Sequence, residues 1–137
     1  MAENGMIKLN EADIELLKMA REAITANYDH GGYRHTVGAA VRCPDGKIYV
    51  GVNVYSLHGA CAEQVAIGTA ITAGERLFDT IVAVRGERGE EIIPPCGNCR
   101  QILSDYMPEC QVILMGEDAP FKIGAKELLP YAAHVEY

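Results

Sequence analysis

Four residues of this 137-residue chain have the types and spacing to do chemistry together. Cys61 and Glu63 stand in the segment Gly-Ala-Cys-Ala-Glu-Gln, and Cys96 and Cys99 in Pro-Pro-Cys-Gly-Asn-Cys-Arg-Gln. A C-x-x-C pair at a helix start sets two sulfurs on one side of the first turn. Taken alone, such a pair fits a thiol redox couple or half of a structural zinc knot as well as a metal site. A third thiolate from Cys61 changes the balance. Three protein ligands leave one tetrahedral position for water, which is the pattern of catalytic rather than structural zinc. The expected cofactor is therefore one Zn²⁺ per chain on Cys61, Cys96 and Cys99. A non-catalytic zinc-binding module is the competing reading. Glu63 argues against it, because a closed structural site has no use for a carboxylate beside the metal, whereas an open one can use it to move protons.

Charge and helix geometry set conditions on this constellation. Three thiolates and one Zn²⁺ sum to −1, which weakens the metal as a Lewis acid unless something offsets it. Helix N-termini do so, through the macrodipole and free amides that can also donate to sulfur. Both cysteine segments are predicted at such starts. Arg100 is a candidate for a full positive charge, but its direction is not legible in the sequence. Residues i and i+2 of a helix lie about 200° apart, so Cys61 and Glu63 cannot both face a metal from a helix interior. Cys61 is thus expected at or next to an N-cap, with Gly59 easing the entry.

The elements that must position these residues follow from periodicity and turn chemistry. Asn10 reads as the N-cap of a first helix with Asp13 three residues on, carrying Ile14, Leu17, Ala20 and Ile24 at near-helical spacing and stopping around Tyr28. Strands at 36–42 and 47–52 flank a Pro44-Asp45-Gly46 turn. A second helix, 61–73, ends at Gly74 as its C′ residue and has almost no polar face, so it is expected to be buried on most sides, either under its own sheet or in a subunit interface. A central strand at 80–84, a helix at 96–107, a strand at 111–115, a short edge strand at 121–123 and a helical turn at 125–129 complete the chain. An initial hairpin followed by alternating strands and helices implies an α/β fold, a three-layer α/β/α sandwich on a mixed five-stranded sheet.

The bulk numbers narrow the function classes. The length suits one domain over 1–137, its first few residues flexible. Net charge is −7 with Lys and Arg scattered, so there is no basic face for a nucleic acid. No apolar stretch approaches the roughly 18–20 residues of a membrane span, and the N-terminus lacks the pattern of a signal peptide. Five cysteines, an odd number, argue for thiol or metal chemistry and not for a disulfide framework. Cys43 and Cys110, at strand ends among apolar neighbours, read as inert small hydrophobes. A cytoplasmic protein acting on a small molecule is expected.

Cys61-Ala62-Glu63 with Pro95-Cys96-x-x-Cys99 resembles the signature of the zinc-dependent cytidine deaminase family. The likeness extends through Val37-Gly-Ala-Ala40, Asp45-Gly46, Gly51-Val-Asn53, Cys99-Arg-Gln101 and Glu127-Leu-Leu-Pro130. The resemblance implies hydrolytic deamination of a cytosine-containing nucleoside with Glu63 as the catalytic proton carrier. It also implies Asn53, Tyr55, His35 and Ala62 as substrate-facing residues, and a homotetramer in which Tyr131 or Tyr137 could close a neighbour's pocket. Within the family the chain is more similar to the blasticidin-S deaminases than to those acting on cytidine. Tyr55 stands where the latter carry a ribose-gripping Glu, His35 where they carry an aromatic, and Gln64 where Arg is common. Asn98 departs from the blasticidin type, which has Arg between its last two cysteines. Cytidine or deoxycytidine, or another amino-heterocycle, is the alternative substrate.

Overall fold

A computed structural model describes residues 6–134; the expected flexibility of the first residues and any role for Tyr137 lie outside them. Helix α1 (Glu11–Asn27) opens on a full capping box. The Asp13 amide donates to Asn10 Oδ1 at 2.9 Å and the Asn10 amide to Asp13 Oδ2 at 3.0 Å, satisfying two amides that a helix start leaves free. Its buried stripe is Asp13, Leu16, Leu17, Ala20 and Ile24. Ile14, expected in that stripe, is 54% exposed, because it stands about 100° round the axis from Asp13. Leu16 takes the place instead.

Strands β1 (Ile7–Lys8), β2 (Val37–Arg42), β3 (Ile48–Val52), β4 (Thr80–Arg85), β5 (Glu91–Ile93), β6 (Gln111–Met115) and β7 (Pro120–Gly124) form one mixed sheet. The order is β1-β7-β6-β4-β2-β3, with β5 also on β4. Among the described residues only β4 and β6 pair in parallel. The five expected strands are all present, and the count is corrected to seven by β1 and β5, each too short to carry a periodic signal. β1 pairs outside β7, so the strand expected at the edge is not the last one.

Alternation along the strands sends side chains to both faces. Ala40, Val82, Val84 and Ile113 meet α1, whereas Ala39, Val41, Ile81, Ala83 and Val112 meet α2 (Ala62–Thr72) and α3 (Gly97–Tyr106). The result is the three-layer α/β/α sandwich. α2 lies close on β3 at Gly51, where a Cβ would come within 2.6 Å of the Ala66 amide nitrogen. Its other face is open in the single chain, where Gly68, Thr69 and Thr72 are exposed, so the sheet by itself covers only one side of this helix. A 3₁₀ turn, Ala125–Leu128, closes the described fold.

On the α1 side of the sheet, Asp13 joins three elements. Its buried carboxylate accepts from Arg42 Nη2 at 2.9 Å and Lys122 Nζ at 2.8 Å, while Arg42 Nε donates to Asp79 at 2.9 Å. Burial opposes the ionised form. The hydrogen bonds from Lys122, the Asn10 backbone and Arg42 outweigh it and hold the Asp13 carboxyl below its ordinary value.

Candidate active site

Cys61 and Cys96 are both helix N-caps. Cys61 precedes α2 at φ −68°, ψ 155°, and Cys96 precedes α3 at φ −69°, ψ 173°, each in extended conformation. α3 begins where it does because β5, pairing Ile93 with Ala83 on β4, leads through Pro94 and Pro95 directly to Cys96. The entry to α2 is set by residues 53–60, which fold back so that Val54 and Ala60 exchange both backbone hydrogen bonds, at 2.9 and 3.0 Å. Gly59 permits this, since a Cβ there would collide with the Val54 carbonyl oxygen.

The two N-caps bring three sulfurs together. The Cys61, Cys96 and Cys99 sulfurs all lie within 4.8 Å of one another. The Cys61 and Cys96 sulfurs are 3.7 Å apart, which matches the edge of about 3.8 Å that tetrahedral ligands make at a Zn–S length of about 2.3 Å. Among the described residues no fourth His, Cys, Asp or Glu joins them. Cys43 and Cys110 are buried elsewhere, and burial pushes the Cys43 thiol up to about 11 and Cys110 higher still. Three soft ligands and an open position suit zinc.

Electrostatics separates the three thiols. Burial opposes ionisation of all three. At Cys96 the amides of Cys99 and Asn98 and the neighbouring thiols outweigh it, so its thiol lies below the ordinary range. Neither N-cap sulfur makes a strict capping hydrogen bond, so the amides act on Cys96 mainly as a field. Burial lifts Cys61, and burial together with the Glu63 charge lifts Cys99. Thiols held this way keep their protons until a cation displaces them. Arg100 supplies no charge at the sulfurs: its Nε donates to the Pro95 carbonyl at 2.8 Å and its Nη1 to that of Leu128 at 3.2 Å. It braces the turn that carries Cys96.

Beside the sulfurs opens a cavity of about 310 Å³, lined by Cys61, Cys96, Ala62 and Glu63 at one end and by Val37, Asn53, Val54, Tyr55, Ser56, Ile93 and Pro94 elsewhere. Glu63, in the first turn of α2, is 5% exposed, and burial raises its carboxyl above the ordinary value against only its own backbone amide. A carboxyl so placed holds a proton more readily than an exposed one and can pass it on to a group in the cavity. Of the four residues expected to face substrate, Asn53, Tyr55 and Ala62 line the cavity. His35 does not; its Nδ1 donates to the Asn53 carbonyl at 2.7 Å, behind the wall. Val37, Ser56, Ile93 and Pro94 were not singled out from the sequence. The position of Ile93 and Pro94 directly before Pro95-Cys96 was the signal available for two of them.

A family model for the cytidine and deoxycytidylate deaminase zinc-binding region matches residues 10–115. The chain belongs to this family of zinc deaminases. It is 38% identical over 131 residues to blasticidin-S deaminase of Bacillus cereus, covering 89% of this chain and 92% of the relative. It is 33% identical to the cytidine deaminase of Sporosarcina psychrophila, covering 88% and 98%. Among solved structures, the cytidine deaminase of Burkholderia pseudomallei superposes with a TM-score of 0.71 at 30% identity, over 91% of this chain and all of that one. The zinc deaminase family accounts for the three cysteines as a metal site, and the mixed sheet with helices on both faces is its fold.

Proposed function

We propose that this protein deaminates a cytosine-containing nucleoside of the blasticidin-S type, with Cys61, Cys96 and Cys99 holding zinc and Glu63 carrying the protons. The observation that supports the reading most is Glu63 itself, a buried carboxyl in the cavity that the three sulfurs close. The relative named blasticidin-S deaminase supports the substrate. Cytidine is the second reading, which the relatives named cytidine deaminase favour.

Zinc held by the three thiolates would supply Lewis-acid activation of a water, lowering its pKa. The remaining work falls to the protein. Glu63 takes a proton from the water that attacks C4 of the cytosine ring and gives it to N3. After addition Glu63 takes the second proton of that water and delivers it to the 4-amino group, which leaves as ammonia. The product carries a carbonyl at C4 and a proton on N3, so atoms and charge balance. Val37, Ile93 and Pro94 line the cavity with apolar surface against which the ring can pack. Asn53, Tyr55 and Ala62 orient the nucleoside; His35 holds the Asn53 backbone.

The test is ultraviolet-monitored deamination of blasticidin S and of cytidine by zinc-loaded protein, with ammonia measured alongside. Turnover of blasticidin S supports the reading, turnover of cytidine alone shifts it to the second, and no turnover of either with zinc bound refutes both. The open face of α2, with Gly68, Thr69 and Thr72, supports a homotetramer, which light scattering checks. Five free thiols support a reducing, cytoplasmic location.

A further inference from the structure

Helix α3, which starts on Cys96 and carries Cys99, is held from two sides. Cys99 and Leu103 are buried, Leu103 in the core beneath the sheet. Gln101 and Asp105 stand about 200° and about 240° round the axis from Cys99. On that opposite face the last described segment, 128–134, returns to them. Gln101 Nε2 donates to the Ala133 carbonyl at 2.7 Å and to both carboxylate oxygens of Asp105 at 3.1 Å. His134 Nδ1 donates to Asp105 Oδ1 at 3.1 Å. These hydrogen bonds from Gln101 and His134 hold the Asp105 carboxyl below its ordinary value. At the root of the segment Leu128 packs on the core, and its carbonyl accepts from Arg100 Nη1 at 3.2 Å. The same guanidinium donates through Nε to the Pro95 carbonyl, at the turn into Cys96.

Beyond Leu128 the segment buries little: Pro130, Tyr131, Ala133 and His134 are exposed. Its hold on α3 rests on these few polar contacts, each of modest net worth, so it can come away without unfolding of the core. Arg100 carries that release to the metal site, because one rigid fork spans the root of the segment and the Cys96 turn. Resting on zinc at the three cysteines, we propose that segment 128–134 is a strap that positions the metal-bearing helix. Docked, it fixes α3 and the turn into it, so that the Cys96 and Cys99 sulfurs stand ready to ligate. Released, it leaves that ordering to be done by the metal, which then binds more weakly. Gln101 is the positioning residue that fastens it. By linkage, bound zinc tightens the strap by the same factor.

The test is the zinc dissociation constant of the intact chain, measured by competition with a chromophoric chelator. The parent is compared with Gln101→Ala, Gln101→Glu, His134→Ala and a control, Lys18→Ala, whose exposed ion pair with Glu22 lies on α1 across the sheet. Loss of the Gln101 hydrogen bonds weakens zinc binding about fivefold, and the control stays within about twofold of the parent. Gln101→Glu decides the matter. It keeps the shape of the side chain but sets a carboxylate against Asp105 and the Ala133 carbonyl. Charge alone would make this variant bind a cation more tightly. Release of the strap makes it bind more weakly, by at least as much as Gln101→Ala. Zinc affinity at or above the parental value in Gln101→Glu overturns the proposal. So does a lower urea midpoint of the zinc-free variants at unchanged zinc affinity, which is what a merely structural contact gives. His134→Ala, altered on the strap alone, weakens zinc binding in the same direction, and an unchanged affinity there overturns the proposal too. A parent chain that takes up no zinc refutes the metal site itself, and the strap with it.

Discussion

Cys61 and Glu63 are two residues apart, yet both side chains reach the same cavity, because Cys61 is the extended N-cap of α2 and Glu63 lies in its first helical turn. Had Cys61 been helical, the two would point about 200° apart. The turn at residues 53–60 that sets this entry is therefore as much part of the site as the ligands.

Glu63→Gln keeps the shape of the side chain and removes its capacity to carry a proton. Zinc content is expected to stay at one per chain while kcat falls by about 10²–10⁴-fold, the usual worth of a general acid–base group. Metal analysis and steady-state kinetics on the same sample check this. Near-parental turnover would remove Glu63 from the proton path.

Zinc uptake should release protons. Burial holds the Cys61 and Cys99 thiols above their ordinary value, so both are protonated at neutral pH without a cation and must lose those protons to ligate. Adding zinc to chelator-stripped protein in dilute buffer with an indicator dye should release at least two protons per metal. The thermal midpoint should rise with zinc, because the metal binds only the folded cluster. Cys99→Ala should abolish both effects.

Replacing Asp13 with Ala leaves Arg42 and Lys122 buried without their shared partner, at a cost of about 3–5 kcal/mol. Urea denaturation measures it. The pH dependence follows from the lowered carboxyl of Asp13. A group whose pKa is lower folded than unfolded adds stability that is fully present above the unfolded value, here 3.8, and is lost as pH falls through the folded one. The gap in unfolding free energy between parent and Asp13→Asn should thus be flat above about pH 5 and close below about pH 4. A gap that widens on acidification would contradict the lowered carboxyl.

Gly51→Ala tests how tightly the site depends on the sheet beneath it. The added methyl would meet the Ala66 amide nitrogen at 2.6 Å, so α2 must lift from β3 and carry Cys61 and Glu63 with it. A loss of stability of about 1–3 kcal/mol is expected, and a fall in kcat larger than the folded fraction explains. Gly68→Ala, on the open face of the same helix with nothing within 4 Å of the new Cβ, is the control; it leaves the single chain's packing intact.

Much of the fold was written in local pattern. The Asn10–Asp13 capping box, the Pro44-Asp45-Gly46 turn and the apolar run of β4 are short-range signals, and each of these elements stands where its residues predict. The three cysteines and Glu63 were legible for a related reason: ligand type and spacing are chemical facts of the chain, and the geometry of a helix start forces Cys61 to the N-cap. Short or long-range features were not legible. β1 and β5 are two and three residues long and exist because partners lie beside them, so nothing in their own sequence announces a strand. The direction of Arg100, toward Pro95 and Leu128 instead of the sulfurs, depends on where the 3₁₀ turn docks. Asn53 shows the division most clearly. The family resemblance placed it among the substrate contacts, but only tertiary structure decides that Thr36, Val37 and Arg34 consume three of its four hydrogen bonds. The number of partners left for a ligand is a property of the packed chain, because it is what remains after the protein has satisfied itself.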